Sequence, residues 1–406
     1  MNIQNIAGGV CAAKGFTASG VHAGIKAGSA KADLAMILCD TVCSAAAVYT
    51  QNKVKGAPIF VTQRNTADGT ARGILCNSGN ANTCNPDGME VAQACCELAA
   101  KATGLAPGDF VLASTGVIGQ ALALAPFERG VPELVKKLSK EGGKDAARAI
   151  MTTDTSVKEF AVEFDLGGST CRLGAIGKGS GMINPNMATM LVFLTTDAAI
   201  KPTLLQRALS DVASVTLNQI CVDGDTSTND MAAILASGLA GNACIEEPGE
   251  GYEAFCDALH NVCTKMSRAL AADGEGATKL LECKVTNART AAIAHAVAKT
   301  VIASDLFKAA MFGADANWGR ALCAIGYTPG DFSAEHVSLV LKSGAGQVLV
   351  CEESAHAPYS EEEASRILAE NEIEVLIDMH DGVESGVAWG CDLTYDYVKI
   401  NGDYRS

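Results

Sequence analysis

The chain has 406 residues, 48% of them hydrophobic and 19% charged, which excludes an intrinsically disordered protein and supplies apolar side chains for a large core. With 31 basic against 46 acidic residues the formal net charge is −15, which argues against general binding to nucleic-acid phosphates. The 41 glycines and the low aromatic content, 5%, point to tight turns and close backbone approaches rather than an aromatic-lined groove. The N-terminal MNIQNIAGGVCAAKGF lacks a basic stretch followed by an apolar run, and no segment approaches 18 uninterrupted apolar residues. Neither a signal peptide nor a membrane span is expected.

Apolar, β-rich runs predict strands at Ala57–Val61, Gly73–Cys76, Phe110–Ala113, Phe160–Phe164, Met190–Leu194, Val337–Leu341, Gln347–Cys351 and Glu374–Met379. Segments of helical period lie between them. Asp87 caps one helix running to about Lys101 and closed by Gly104. Pro202 opens another, continuing LLQRALSDVASVTLNQI, with the proline in the first turn where its missing N–H costs little. Ser360 followed by Glu363 forms a capping box for a helix reaching about Glu370. This mixture predicts α/β or α+β layers rather than a sandwich or a bundle. No repeat, low-complexity linker or charged tail marks a domain boundary.

The 16 cysteines include no CxxC pair. Cys39 and Cys43 are four apart, but no second close pair of that kind accompanies them, so a structural zinc site is disfavoured. A chain this long needs no disulfide staples, and the cysteines read as free thiols in a reducing cytosol, serving as small core residues.

The densest special segment is Gly177–Leu191, a glycine-rich loop followed by Asn184-Pro185-Asn186 and by Thr189 entering an apolar strand. Three readings remain open. A phosphate cradle needs G-x-G-x-x-G running into a helix, whereas here position 182 is methionine and Pro185 and a β-like MLVFL follow. A plain glycine-rich turn between strands is the second. The third is an activated threonine that uses its own α-amine as base once the chain is cut before it; a small Ala188 after a tight polar loop permits such a cut.

Elsewhere, Ser114-Thr115-Gly116 ends an apolar run and offers a hydroxyl and free N–H groups to an oxyanion, or is an ordinary turn. Asp223–Asp230 resembles a calcium loop, but position 228 is threonine where the turn glycine belongs and Ile234 replaces the last acid. It reads as a polar turn bracing something nearby. Asp273–Lys279 sets Glu275 between two glycines, as a partner for an amine or as a solvated acid. The six histidines are scattered and none has an HExxH-type partner, so a metal site or a Ser-His triad is weakly supported.

Taken together these blocks resemble the ornithine acetyltransferase (glutamate N-acetyltransferase) family of arginine biosynthesis. The resemblance runs nearly end to end: Gly9–Phe16 with Gly20–Lys26, Asn77–Asn82, Ser114–Gly119, Thr152–Thr155, Lys178–Leu191, Val222–Asp230, Asp273–Lys279, Asn317–Arg320 and Ile400–Ser406. It implies an α/β (α+β) DmpA/ArgJ-like layered fold with two β-layers covered by helices. It implies self-cleavage between Ala188 and Thr189, giving an α chain, residues 1–188, and a β chain, residues 189–406, associated as an α2β2 heterotetramer. Thr189 is then the nucleophile, Thr115 and Gly116 the oxyanion hole, and Thr152, Lys178, Thr189, Glu275, Asn401 and Ser406 the substrate contacts. Thr153 competes with Thr152 for that role, and Ser406 stands where the family often has threonine. The implied reaction moves acetyl from N-acetylornithine to glutamate through an acetyl-threonine, with no metal and no bound cofactor. No CoA-specific motif separates the monofunctional form from one that also takes acetyl-CoA, and the bifunctional form is the one expected. The implied setting is cytoplasmic, with no nucleic-acid or membrane partner. A self-processing aminopeptidase that releases its acyl group to water, and a non-enzymatic amino-acid-binding protein, are the alternatives.

Overall fold

The computed structural model describes residues 3–184 and 190–403. Its strands in chain order are β1 (Gln4–Ile6), β2 (Phe16–Val21), β3 (Leu34–Tyr49), β4 (Thr70–Asn77), β5 (Phe110–Ser114), β6 (Lys158–Leu166), β7 (Ser169–Lys178), β8 (Leu191–Thr196), β9 (Ile220–Cys221) and β10 (Met231–Ala236). They continue with β11 (Leu280–Ala288), β12 (Ser338–Ser343), β13 (Gly346–Glu352), β14 (Ala355–His356), β15 (Glu372–Asp378) and β16 (Glu384–Cys391). The first six helices are α1 (Ala57–Asn65), α2 (Gly88–Thr103), α3 (Ala125–Lys137), α4 (Gly143–Ile150), α5 (Pro202–Val215) and α6 (Glu250–Ala272). They are followed by α7 (Ala291–Ala303), α8 (Asp305–Phe312), α9 (Trp318–Gly326), α10 (Glu361–Leu368) and α11 (Tyr395–Asp403).

The strands form two sheets. One has the order β1-β6-β7-β8-β10-β3-β4-β5, with β2 also paired to β3. The other has the order β14-β13-β12-β15-β11-β16-β9. In the first, β8 pairs antiparallel with β7 and parallel with β10, so two strands from the second half of the chain sit between strands of the first half. Both sheets contribute to one core cluster. Helix α6 lies between them, because its apolar residues Tyr252, Phe255, Leu259, Val262, Met266 and Leu270 recur every three or four positions. They pack with Val162, Phe164 and Ala175 of β6 and β7 and with Leu280 and Trp389 of β11 and β16. Successive strand residues point to opposite faces. Thus Leu281, Cys283 and Val285 of β11 turn the other way, onto Ala294, Val297 and Val301 of α7. Helix α4 covers the far face of the first sheet, and α1, α2 and α3 pack at its β4–β5 end. This is the expected α/β arrangement of two β-layers covered by helices, with a helical layer also held inside.

Seven of the eight predicted strands lie within or overlap observed ones. Ala57–Val61 is a correction, since it forms the first turns of α1. Pro58 sits at the start of the helix, where it lacks no bond, and could not donate to a ladder. Helix α2 ends at Gly104, which adopts φ 75°, as expected; Asp87 occupies the N-cap position but its side chain makes no capping bond. The helix opened by Pro202 stops at Val215, because Thr216 turns back to bond Val212 and the chain passes through a short 3-10 turn into β9. Ser360 accepts the Glu363 N–H, one half of the predicted capping box, and α10 ends at Leu368. All cysteines are free thiols and most are buried, in keeping with small core residues. Among the described residues no helix is long and apolar enough to cross a membrane.

Candidate active site

The site grows from the C-terminal end of β4. Asn77 closes that strand, and its Oδ1 accepts the N–H groups of Gly79 and Asn80 at 3.2 and 3.1 Å. Asn80 Oδ1 accepts from the Asn82 N–H at 2.7 Å, and Asn82 Nδ2 donates to the Gly88 carbonyl at 2.8 Å. The Asn-rich turn is therefore held by its own side chains. Against it runs the loop after β5. The Thr115 N–H donates to the Asn77 carbonyl at 3.0 Å, and the Ala81 N–H to the Val117 carbonyl at 2.9 Å. Gly116, with φ 127°, fits between them; a Cβ there would stand 2.6 Å from the Gly79 carbonyl carbon. Glycine is required by both conformation and space. The Gly116 N–H and the Thr115 hydroxyl make no hydrogen bond among the described residues.

Further segments face this loop across a cleft lined by Thr115, Gly116, Thr152, Thr153, Lys178, Met190, Asp230, Glu275 and Asn401. Lys178 ends β7 and is buried, and its ammonium makes no hydrogen bond or ion pair among the described residues. Behind it, Asp154 accepts from the Gly179 N–H at 2.7 Å and from Lys158 Nζ at 2.8 Å. Burial alone would raise the Asp154 pKa, but the charges of Lys178 and Lys158 and these hydrogen bonds outweigh it and hold the carboxyl well below the usual range. Glu275 is half-buried and accepts from Asn401 Nδ2 at 2.8 Å. Asp230 is buried beside the cleft, and its Oδ2 has no hydrogen-bond partner among the described residues. Burial pushes its pKa well above the ordinary value, against the hydrogen bonds from Ser227 and the Lys178 charge.

The Asp223 loop is a brace, as expected. Its carboxylate accepts the N–H groups of Met182 and Ile183 at 2.5 and 2.8 Å, and Thr226 Oγ donates to the Asn184 carbonyl at 2.8 Å. Burial raises the Asp223 pKa despite those bonds. The glycine-rich loop is thus fastened up to Asn184, the last described residue before the predicted cleavage point. On the far side, Met190 accepts from the Met231 N–H at 2.9 Å as β8 begins. Ala188, Thr189 and Ser406 lie outside the described residues. The structure brings together Thr115, Gly116, Thr152, Lys178, Glu275 and Asn401; Thr152 and Thr153 both line the cleft.

Three contributors were not singled out by their sequence. Asp230 was read only as part of the turn. Lys158 belonged to no motif, although it lies four residues after Asp154. Asn229 ties the two halves of the site by donating to the Ala81 carbonyl at 2.6 Å and accepting from Thr83 Oγ at 2.6 Å. Among the described residues no group of three or more His, Cys, Asp or Glu is placed to hold a metal ion. Chemically, the cleft offers two unspent donors for a carbonyl oxygen that gains charge, a buried ammonium for a carboxylate, and a carboxylate for an ammonium.

The chain matches the ArgJ family over residues 17–406. It is 47% identical over 403 residues to the arginine biosynthesis bifunctional protein ArgJ of Symbiobacterium thermophilum, covering 99% of each chain. It is 43% identical over 406 residues to the protein of that name from Bacillus subtilis, covering 100% of this chain and 98% of that one. A crystal structure of ArgJ from Bacillus halodurans is 44% identical, covers 53% of this chain and 98% of that chain, and superimposes with a TM-score of 0.49. With a match that spans nearly the whole length, the chain belongs to the ArgJ family.

Proposed function

We propose that the chain cuts itself between Ala188 and Thr189 and then acts as a glutamate N-acetyltransferase of arginine biosynthesis. The observation that carries this reading is the convergence of Thr115, Gly116, Lys178 and the Glu275–Asn401 pair on one cleft, which Met190, the residue after Thr189, also lines. The cut gives residues 1–188 and 189–406, assembled as α2β2 in the cytoplasm. N-acetylornithine binds with its carboxylate toward Lys178 and its ammonium toward Glu275. The Thr189 hydroxyl attacks the amide carbonyl while the Thr189 α-amine takes the proton. The tetrahedral oxyanion is held by the Thr115 hydroxyl and the Gly116 N–H; one such donor is worth about 3–4 kcal/mol. As the C–N bond breaks, the Thr189 ammonium gives that proton to the departing nitrogen, and ornithine leaves behind an acetyl ester on Thr189. Glutamate attacks that ester through its α-amine and departs as N-acetylglutamate, restoring the threonine. Thr152 or Thr153 contacts the bound amino acid, and Ser406 belongs to the same set of contacts. No metal or bound cofactor enters this sequence. The relatives are named bifunctional, which supports acetyl-CoA as a second acetyl donor substrate.

Mass spectrometry of the purified protein after incubation with N-acetylornithine tests the reading. Two fragments are expected, the C-terminal one beginning Thr-Met-Leu and carrying one acetyl group that glutamate removes. An uncut chain that still turns over, or an acetyl group on another residue, refutes it. Acetyl-CoA with glutamate should also yield N-acetylglutamate; failure there restricts the donor to N-acetylornithine.

A further inference from the structure

A buried ion triad lies behind the cleft. Lys158 is 1% exposed, and its Nζ donates to Asp154 Oδ1 at 2.8 Å and to Asp273 Oδ2 at 2.5 Å. Burying three charges is costly, and such clusters seldom stabilise a protein more than apolar packing does. The remaining hydrogen bonds point to another use. Asp154 takes the N–H of Gly179, next to Lys178, at 2.7 Å, and through its other oxygen the N–H of Thr152 at 3.0 Å. Asp273 takes the N–H groups of Thr155 and Ser156 at 3.1 and 3.2 Å and the Thr155 hydroxyl. The Asp273 carbonyl accepts from Ser180 Oγ at 2.6 Å, and the Ser180 carbonyl accepts the N–H of Glu275 at 3.0 Å. Each of the segments bearing Thr152, Lys178 and Glu275 is therefore fastened to the triad within two residues of its cleft-facing side chain. The triad also joins residues on either side of position 188.

We propose that Lys158 is a positioning residue for acetyl transfer: by clamping Asp154 to Asp273 it sets the spacing of the three segments that grip the amino-acid substrate. The proposal rests on the reading of Thr152, Lys178 and Glu275 as substrate contacts. Lys158 touches no substrate itself. Its charge is needed, because a neutral side chain of equal length leaves two carboxylates facing each other.

The test is Lys158→Met, which keeps the apolar stem and removes the ammonium, compared with the unaltered chain by steady-state kinetics and amide hydrogen exchange. KM for both N-acetylornithine and glutamate should rise about tenfold or more while kcat falls less. Exchange at the amides of Thr152, Thr155 and Gly179 should quicken about tenfold or more, with β4 and β8 amides unchanged. Unchanged KM with unchanged local exchange overturns the proposal, and so does faster exchange throughout the protein at unchanged KM, which marks a purely structural role. Should Lys158→Met fail to fold, Thr155→Val removes a single bond to Asp273 and should raise KM about threefold with the same local exchange signature; no change in either refutes the clamp. An unaltered chain that transfers no acetyl group refutes the proposed function, and local exchange, which needs no substrate, then decides the clamp alone.

Discussion

Gly116→Ala probes the proposed oxyanion loop at a glycine that backbone atoms crowd. An alanine there must adopt φ 127°, which costs about 1–3 kcal/mol for a residue with a Cβ. Its Cβ would stand 2.6, 2.7 and 2.8 Å from the carbonyl carbon and oxygen of Gly79 and the nitrogen of Asn80. These are backbone atoms, and the turn is pinned by Asn77 Oδ1, so it cannot retreat as a side chain would. Relieving the overlap adds roughly 1–3 kcal/mol and displaces the Thr115–Val117 segment. The expected loss of stability is about 2–6 kcal/mol from these two sources. Moving the Gly116 N–H away from the forming oxyanion should lower kcat about 10²–10³-fold, with KM changed much less. Urea unfolding and initial rates of N-acetylglutamate formation measure the two effects. Gly108→Ala is the control, because a Cβ at that glycine meets nothing within 4 Å. A folded Gly116→Ala protein with kcat within about threefold of the unaltered enzyme would refute the role given to this N–H.

Phe255→Ala, in the second turn of α6, removes a fully buried ring that packs on Phe164 at 6.4 Å between centroids. It should lower unfolding stability by about 3–5 kcal/mol in urea titration, and a loss under about 1 kcal/mol would mean that α6 is not the central support of the core. Asp230 has a folded-state pKa above its unfolded value, so its contribution is most favourable below the unfolded pKa and is lost as pH rises through the folded one. Asp230→Asn should therefore gain stability relative to the unaltered chain as pH rises above the ordinary aspartate pKa of about 4, by at most ~1.4 kcal/mol per pH unit; a difference independent of pH contradicts the assignment. Asp154 is shifted the other way: its contribution is present above the unfolded pKa and lost as pH falls toward the folded one, so Asp154→Asn should flatten the acid limb of the stability profile. Asp223→Ala frees the N–H groups of Met182 and Ile183, and on a denaturing gel the full-length band should persist at least about tenfold longer. Cleavage at the ordinary rate would show that the brace does not prepare the cut.

Motifs were the most legible part of the sequence. Thr115–Gly116, Lys178, Glu275 and Asn401 were named from the resemblance, and the fold brings them to one cleft. Strands rich in β-branched residues, such as Val337–Leu341, were also readable. The long central strand β3 and its neighbour β10 were not. LAMILCDTVCSAAAVY and MAAILA are rich in alanine, which has little β-propensity, and they form strands because helices bury them from both faces. Ala57–Val61 failed in the opposite direction: five apolar residues look like a strand until Pro58 is placed at the start of a helix. Lys158 and Asp230 were hidden because their roles depend on partners about 115 and 52 residues away in sequence, Asp273 and Lys178, and no local spacing marks them.

The placing of β8 and β10 between β7 and β3 bears on what the proposed cut would do to the molecule. If the backbone parts before Thr189, neither product owns the whole of the first sheet. The later fragment contributes two adjacent inner strands, laced on one side to β7 and on the other to β3, so it cannot peel away from an edge. Swapping fragments between molecules would require tearing both seams together, which amounts to unfolding. The severed enzyme should therefore keep its original pair of pieces for as long as it stays native, and the break would alter chemistry at one terminus without creating a dissociable complex.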